Sequence, residues 1–339
     1  MTFLKSVGLA IIGALHAMYT QTRLRPLEAQ ALLVVLILSV GALRTGNEQT
    51  DLGDGRIVIT GDDLSVDTLG EIFSTFGYSL DRVRDEGIAV PRLIVSAMPD
   101  GLKDIRILDQ RKRLFFRSVL PLILTANEEI AKDRQRLLMI ASKIGNDDDK
   151  ELSLSTDDIA WIDILATRYG IDRVEEEVSL SELFDVLKAR VAPIPTSLAL
   201  AQAVEESAWG TSRFARQGNA LFGQWVWNED AGIVPTEQRE GQAYAVRAFE
   251  TPLQSVKAYA KNLNTHWAYA MFREQRAEML GTEEELDGWA LAETLTRYSE
   301  RGEAYVESLQ AIMRFNLLRP LDKASLATPS AMIELAAAE

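Results

Sequence analysis

Helical periodicity is the feature that most constrains what this chain can fold into. The segment 155–170 shows it clearly, because Ile159, Ile162 and Leu165 recur at helical spacing. Comparable patterns predict helices over 62–77, 103–142, 179–191, 196–216, 252–265, 268–280, 284–298 and 303–317. Pro121 lies inside the longest of these segments, where we expect a kink or a break. The sequence therefore predicts a mainly α protein.

Extended segments are few and short. RIVIT (56–60) predicts a strand, and the proline-bounded run IAVPRLIVSAMP (88–99) is typical of an edge strand. Apolar and polar residues alternate over 244–249, after a turn signal at Glu240–Gly241. We expect a small β-hairpin there, inside an otherwise helical region.

Composition restricts the chemistry available to this chain. Its 339 residues contain no cysteine, which excludes disulfides, thiolate nucleophiles and cysteine-ligated metals. The two histidines, His16 and His266, are too few for a zinc hydrolase, and no G-x-S-x-G elbow supports a serine triad. A formal charge of −14 argues against nucleic-acid binding. Carboxylates are the remaining candidates for catalysis.

Two apolar runs open the chain, VGLAIIGALHAMY (7–19) and ALLVVLILSVGAL (31–43). Each is shorter than the ~20 residues that span a bilayer comfortably, and Arg23 and Arg25 precede the second. The pattern fits an uncleaved anchor, a signal peptide with a long n-region, or a buried helix. We expect export, with the folded part in the periplasm and the membrane contacted through this segment.

Shifts in composition divide the chain. The region from residue 193 contains five of the six tryptophans. The expected divisions are a membrane or leader segment (1–45), an acidic linker with a small subdomain (46–102), a helical support region (103–192), a catalytic domain (193–318) and a loose tail (319–339). In the support region, Arg111, Lys112 and Arg113 are either surface charges of an acidic protein or contacts to anionic lipid.

The adjacent carboxylates Glu205 and Glu206 stand out within the predicted helix 196–216. On a helical wheel they lie beyond opposite edges of the apolar stripe, and Glu206 has the small neighbours Ala199 and Ala203. Half-burial there would raise its pKa, as a general acid requires. A solvated pair on a surface helix is the alternative. The aromatic loop and hairpin that follow favour a sugar-binding site instead.

Several motifs carry a family resemblance. The run PTSLALAQAVEESAWGTSRFARQGNALFGQW (195–225) resembles the glucosaminidase domain of glycoside hydrolase family 73, with its A-Q-x-x-x-E-S-x-W-G and N-x-L-F-G patterns. Residues 111–134, 256–278 and 298–309 resemble the Bax-type glucosaminidases more narrowly. The similarity spans roughly 90–318. It implies a lysozyme-like, helical fold with a small β-lobe, which hydrolyses the β-1,4 bond after N-acetylglucosamine in peptidoglycan without a cofactor.

The resemblance also implies roles for individual residues. The general acid of the family precedes S-x-W-G, which corresponds to Glu206, and leaves Glu205 as a surface or salt-bridging neighbour. A second carboxylate corresponds best to Glu237 in VPTEQREG, with Glu240, Asp230 or no second acid as alternatives. The late family tyrosine, thought to assist the reaction, corresponds to Tyr298.

Candidate substrate-binding residues surround these positions. They are Trp209, Asn219, Phe222, Gln224, Trp225, Trp227, His266 and Tyr305. Core packing competes with sugar contact for Trp209 and Phe222, whereas Asn219 and Gln224 are candidates for fixing acetamido or hydroxyl groups. His266 is more typical of a helix end than of a catalyst.

Two other functions compete with a glucosaminidase. A lytic transglycosylase uses a single acid/base glutamate and makes an anhydro-sugar, but its usual G-L-M-Q signature is only faintly matched by LFGQW (221–225). A peptidoglycan-binding scaffold without turnover is the third reading. Retention of E-S-A-W-G (206–210) favours an enzyme acting on peptidoglycan glycan strands.

Overall fold

The computed structural model describes residues 55–99, 101–143, 154–171, 179–228, 231–236, 244–282 and 285–332, the side chains of residues 62 and 63 excepted. The expected membrane or leader segment, 1–45, lies outside these ranges, as do the first residues of the expected linker. Among the described helices, none is both long and apolar enough to cross a membrane.

Helices form most of the described chain, as the periodicity predicts. They are α1 (Val66–Thr75), α2 (Leu80–Asp85), α3 (Leu108–Ala141), α4 (Thr156–Arg168), α5 (Leu180–Arg190), α6 (Thr196–Ser207), α7 (Arg213–Gly218), α8 (Pro252–Thr265), α9 (Ala270–Gly281), α10 (Gly288–Ala292) and α11 (Glu303–Phe315). Local capping sets several boundaries, because Ser155 accepts from the Asp158 amide at the start of α4 and Ser179 forms a capping box with Glu182 at the start of α5.

Helix α3 is continuous through Pro121, so the chain does not break there. Proline inside a helix removes one hydrogen bond and costs about 3 kcal/mol. The neighbouring Leu120, Leu122 and Ile123 are all buried, and their packing offsets that cost. The long helix therefore connects the N-terminal elements to the rest of the core.

Two small sheets accompany the helices. Strands β1 (Ile57–Ile59) and β2 (Leu93–Val95) pair in parallel, with Ile57 opposite Leu93. Strands β3 (Trp225–Val226), β4 (Gly232–Ile233) and β5 (Ala245–Arg247) form an antiparallel sheet in the order β3–β5–β4. The predicted hairpin is thus a three-stranded sheet, in which β5 pairs with strands that precede it. Its predicted turn at 240–241 lies outside the described residues.

Helix α6 runs through the middle of the main core. Its residues from Thr196 to Val204 are buried, and it packs against α3, α10 and α11. A helix buried on all sides needs an apolar surface all round, which TSLALAQAV supplies apart from Thr196, Ser197 and Gln202. Residues of β1, α1 and β2 belong to the same core, so the segment from residue 55 to 99 is packed against the helices.

A second, smaller core lies to one side. It joins the last turns of α3 to α4 and α5 through buried side chains that include Leu137, Ile162, Leu165, Leu183 and Leu187. These three helices belong to residues 103–192, the region that we expected to support the catalytic domain.

The expectation of a loose tail is wrong for residues 319–332. Leu321, Ala327 and Met332 are buried in the main core. Arg92 donates from Nε to the Ala327 carbonyl at 2.6 Å, and the Ala327 amide donates to the Val90 carbonyl at 2.8 Å. These long-range contacts are invisible to local composition, which is why the small residues of the tail were misleading.

Candidate active site

The last turn of α6 places the two glutamates at a helix end. The predicted helix 196–216 is in fact two helices, α6 and α7, separated at residues 208–212. Ala208, Trp209 and Gly210 have φ values of 50°, 61° and 73°, which turn the chain sharply after Ser207. The Ser207 hydroxyl bonds to the Ala203 carbonyl and accepts from the Gly210 amide, which fixes this turn. The carboxylates therefore project from the end of a buried helix.

Glu205 is held by α11 and by the loop before it. Its Oε1 pairs with the Arg301 guanidinium, and its Oε2 accepts from the Ser308 hydroxyl at 2.8 Å. Both oxygens are therefore engaged by protein side chains. This agrees with the expectation of a salt-bridging neighbour.

Glu206 ends a chain of buried hydrogen bonds. The Tyr305 hydroxyl donates to Glu206 Oε1 at 2.9 Å, and Gln202 Nε2 donates to the Tyr305 hydroxyl at 3.0 Å. The Tyr259 hydroxyl in turn donates to Gln202 Oε1 at 2.6 Å. Gln202, Tyr259 and Tyr305 are each almost completely buried. Such a chain fixes the rotamer of Glu206, because rotating the side chain would leave the buried Tyr305 hydroxyl without its acceptor.

The second oxygen of Glu206 is open. Within the described ranges, Oε2 accepts no hydrogen bond, and the backbone of Gly223 approaches it closely. A Cβ added to Gly223 would lie 3.5 Å from Oε2, and Gly223 has a left-handed φ of 59°. The 3.5 Å separation is an ordinary contact, so it is the positive φ that favours glycine at this position.

The surroundings of Glu206 favour its protonated form. Burial raises the pKa of its carboxyl above the usual value, and the nearby charge of Glu205 acts in the same direction. The hydrogen bond from Tyr305 and the positive charge of Arg301 lower it by a smaller amount. The net result is a carboxyl that can carry a proton to higher pH than a surface glutamate.

A row of aromatic rings extends from Tyr305. Tyr298 stacks on Tyr305 with ring centroids 5.5 Å apart, and Tyr269 follows 5.7 Å from Tyr298. His266 lies 5.5 Å from Tyr269 and 5.4 Å from Trp267. Burial raises the pKa of Tyr298 well above its usual value, so its hydroxyl stays protonated.

Three tryptophans near this row are exposed. Trp225 on β3 is 60% exposed, Trp227 is 83% exposed and Trp267 is 71% exposed. Trp225 and Trp227 follow the loop that contains Gly223, and Trp267 neighbours His266 at the far end of the tyrosine row. Exposed indole faces of this kind suit stacking on sugar rings.

Comparison with known proteins identifies the family. The family model for mannosyl-glycoprotein endo-beta-N-acetylglucosaminidase matches residues 184–318. The chain is also 32% identical over 224 residues to Protein bax of Escherichia coli (strain K12), an alignment that covers 65% of this chain and 76% of that protein. The chain belongs to the Bax-type glucosaminidases. Family membership makes it a glycoside hydrolase in general terms. No solved structure matches the chain.

In this Bax-type glucosaminidase, the matched region runs from α5 to the residues just after α11. It includes Glu206, its hydrogen-bond chain and the aromatic row. Among the described residues, no group of three or more histidine, aspartate or glutamate side chains could hold a metal ion.

Four of the predicted substrate-binding residues make contacts within the protein. Phe222 is buried and stacks on Tyr259 at 3.9 Å, so neither face of its ring is free for a sugar. Tyr305 is also buried and holds Glu206. Trp209 packs edge-on against Phe115 and Phe116.

The fourth of these residues, Asn219, ends α7 in the left-handed region with φ 51°. Its Nδ2 donates to the carbonyls of Phe249 and Glu250 at 3.1 and 3.0 Å. The side chain therefore fastens the loop before Gly223 to the start of α8, which local sequence could not show.

The other predicted site residues are placed as follows. Tyr298 lies beside Tyr305, so it is near Glu206 but does not bond to it, and its hydroxyl makes a long contact of 3.4 Å to the Phe222 carbonyl. Gln224 is half-buried on the loop entering β3, with its carbonyl accepting from the Arg247 amide. His266 caps the 3₁₀ turn Trp267–Tyr269. The candidate second acids Glu237, Glu240 and Asp230 lie outside the described residues.

Sequence reasoning missed Gln202, Tyr259 and Trp267. A usable signal existed for Gln202, which is an amide on an otherwise apolar helix one turn before Glu206. Tyr259 lies 57 residues away from Gln202 in the chain, so only the fold reveals their contact.

Proposed function

We propose that this protein is a peptidoglycan hydrolase that cleaves the β-1,4 bond after N-acetylglucosamine, with Glu206 as the general acid. The observation that carries the proposal is the Glu206 carboxyl itself. One oxygen is held by Tyr305, the other is open beside Gly223, and burial favours the protonated form. A carboxyl in that state can donate its proton to the leaving glycosidic oxygen as the bond to the sugar carbon breaks.

Glu205 supplies a useful contrast within the same helix turn. Its Oε1 pairs with Arg301 and its Oε2 accepts from the Ser308 hydroxyl. Both oxygens of Glu205 are thus bound to protein side chains, whereas Glu206 Oε2 accepts no hydrogen bond among the described residues. The acid role therefore falls on Glu206, as the family motif implies.

The exposed aromatics support a long polysaccharide substrate. Trp225 and Trp227 are exposed just after the Gly223 loop, and Trp267 is exposed at the end of the tyrosine row that starts at Tyr305. Several exposed indole rings can stack on several sugar rings of one strand, which suits cleavage within a strand. Tyr298, neutral and next to Tyr305, is positioned to orient the sugar at the cleavage point.

The stereochemistry of the product would show whether a second carboxylate acts as a base, in an inverting enzyme, or as a nucleophile, in a retaining one. An inverting enzyme places its base ~6.5–9.5 Å from the acid, whereas a retaining nucleophile lies nearer ~5 Å. Glu237 is our candidate for this group, with Glu240 and Asp230 as alternatives.

We also propose that the chain is exported and that the apolar runs at 7–19 and 31–43 direct this export.

Product analysis by mass spectrometry tests the proposal. The full chain and its Glu206→Gln variant are incubated separately with intact sacculi and with a mannosyl-glycoprotein, and Glu205→Gln serves as the matched control. Fragments with reducing N-acetylglucosamine ends should be released from sacculi by the wild type and by Glu205→Gln only. Anhydro-muramic ends would indicate a lytic transglycosylase. Release of sugar from the glycoprotein and not from sacculi would show that the substrate is a glycoprotein instead of peptidoglycan. Binding to sacculi without release by any variant would indicate a scaffold.

A further inference from the structure

A cavity at the C-terminal end of α11 has an unusual lining. It has a volume of about 620 Å³ and lies between the α1–α2 loop, the first turns of α3 and the end of α11. We call it the cationic cavity. Its charged lining residues are Asp81, Arg82, Arg84, Asp109, Lys112, Arg113 and Arg117, and its other lining residues include Tyr78, Phe315 and Leu317. Phe315 lies ten residues after Tyr305 along α11, or about 15 Å at ~1.5 Å per residue.

The cationic cavity has a surplus of positive charge, whereas the protein as a whole is negatively charged. Five basic and two acidic side chains line it, in a chain whose formal charge is −14. Arg82 pairs with Glu86 and Arg84 with Asp81. Arg113 and Arg117 form no ion pair within the described part of the chain, so their positive charge is not neutralised locally. A local surplus of this kind attracts an anion.

Three buried polar atoms of the lining lack hydrogen-bond partners among the described residues. They are the Tyr78 hydroxyl and the Nε atoms of Arg84 and Arg117. Tyr78 is only 2% exposed, and burial raises the pKa of its hydroxyl above the usual value, so the hydroxyl keeps its proton. Arg117 stacks over the Phe73 ring at 4.5 Å and near the Tyr78 ring at 5.5 Å, which holds its guanidinium in place. All three atoms are donors, and buried donors without acceptors are rare in proteins.

The mouth of the cationic cavity is apolar. Phe315 and Leu317 line it and are 74% and 63% exposed. Ile107 and Leu108, at the start of α3 and outside the cavity lining, are exposed as well. Large apolar side chains exposed beside basic ones are typical of surfaces that enter the interface of an anionic membrane.

We propose that the cationic cavity binds a phosphate group, and that the source of this phosphate is the headgroup of an anionic phospholipid. The phosphate oxygens would accept from Tyr78, Arg84 and Arg117, with Arg113 supplying charge at the entrance. Phe315 and Leu317 would lie against the acyl boundary. This site is separate from Glu206, so its test does not depend on the proposed glycosidase activity.

Binding of free phosphate tests the first half of the proposal. Calorimetric titration of the full chain with glycerol phosphate, at constant ionic strength, should give saturable binding. Tyr78→Phe removes one hydroxyl from a buried site, and Arg113→Gln removes one exposed charge. Each should weaken binding by about tenfold, the loss expected for one charge-assisted contact. Lys261→Gln, a charge loss on α8 outside the cavity, should leave binding unchanged. Equal binding by all variants, or none by the wild type, would overturn the phosphate site.

Vesicle sedimentation tests the source of the phosphate. The full chain is mixed with phosphatidylcholine vesicles with or without phosphatidylglycerol, and the increment caused by phosphatidylglycerol is measured. Tyr78→Phe and Arg113→Gln should reduce that increment. The double variant Phe315→Ser/Leu317→Asn should also reduce it while leaving glycerol phosphate binding intact. An increment that none of these substitutions changes would refute the lipid source, and a soluble phosphate ligand would replace it.

Discussion

The hydrogen bond from Tyr305 to Glu206 makes a sharp prediction. Tyr305→Phe removes one hydroxyl that donates to Glu206 Oε1 at 2.9 Å and accepts from Gln202 Nε2 at 3.0 Å. A hydrogen bond to a charged group contributes about 1.5–3 kcal/mol, and a buried donor left without its acceptor costs about 1–3 kcal/mol. Glu206 keeps access to solvent through its open oxygen, which reduces the first figure. We therefore expect the variant to unfold about 1–3 kcal/mol more easily.

The same substitution should shift the pH dependence of activity. The Tyr305 hydroxyl favours the charged form of Glu206, so its removal raises the pKa of that carboxyl further. The basic limb of kcat/KM reports the acid in the free enzyme and should move to higher pH. The rate at the optimum should also fall, by less than the ~10²–10⁴-fold that general acid catalysis supplies, because the carboxyl remains but is less well oriented.

Tyr259→Phe provides the matched control. It removes a hydroxyl that donates to Gln202 but does not touch Glu206, so it should lower stability by about 1 kcal/mol without moving the basic limb. Initial rates of reducing-end release across pH, together with urea unfolding, give both quantities. If Tyr305→Phe left the basic limb unchanged or moved it to lower pH, the hydrogen bond from Tyr305 would not set the acidity of Glu206.

Three other substitutions test the structure. Burial raises the pKa of Glu206 above 4.5, so folding favours its protonated form. The stability of the wild type therefore falls as pH rises through the pKa of the folded state. Glu206→Gln should have a higher Tm than the wild type at neutral pH and should lose that advantage in acid. Burial also raises the pKa of Asp322 from 3.8 to about 6 while it caps α6 through Ser197, so the loss of Tm across that pH range should shrink in Asp322→Asn. Gly210→Ala should destabilise by about 1–3 kcal/mol in urea unfolding, since φ is 73° and the added Cβ would lie 3.1 Å from the Leu102 and Phe115 side chains. A neutral result for any of the three would contradict the corresponding contact.

Local signals in the sequence predict most of the helices. The period of the apolar residues and the serines at 155 and 179 locate α4 and α5 to within a residue or two. Tertiary packing decides the exceptions. Pro121 stays inside a helix because its neighbours are buried, and the predicted helix 196–216 breaks because Ser207 and Gly210 close a left-handed turn. Neither outcome is encoded in a short window.

The candidate site divides in the same way. Glu206 is identifiable from its motif and from its small helical neighbours, and its raised pKa follows from half-burial as predicted. The role of Tyr305 is not identifiable, because its contact with Glu206 joins residues 99 positions apart. Likewise, Phe222 and Asn219 resemble site residues in sequence, yet the fold uses one as core and the other as a helix cap. Contacts distant in the chain therefore separate the scaffold from the site.

The most direct measurement compares Glu206→Gln with Glu205→Gln, since both lose one carboxylate within the same helix turn. Reducing-end release from sacculi is measured under single-turnover conditions for both variants and the wild type. The account predicts that Glu206→Gln loses at least about 10²-fold in rate, the contribution of a general acid, while Glu205→Gln stays within several-fold of the wild type. Equal losses in both variants, or a larger loss in Glu205→Gln, would contradict the assignment of Glu206 as the acid.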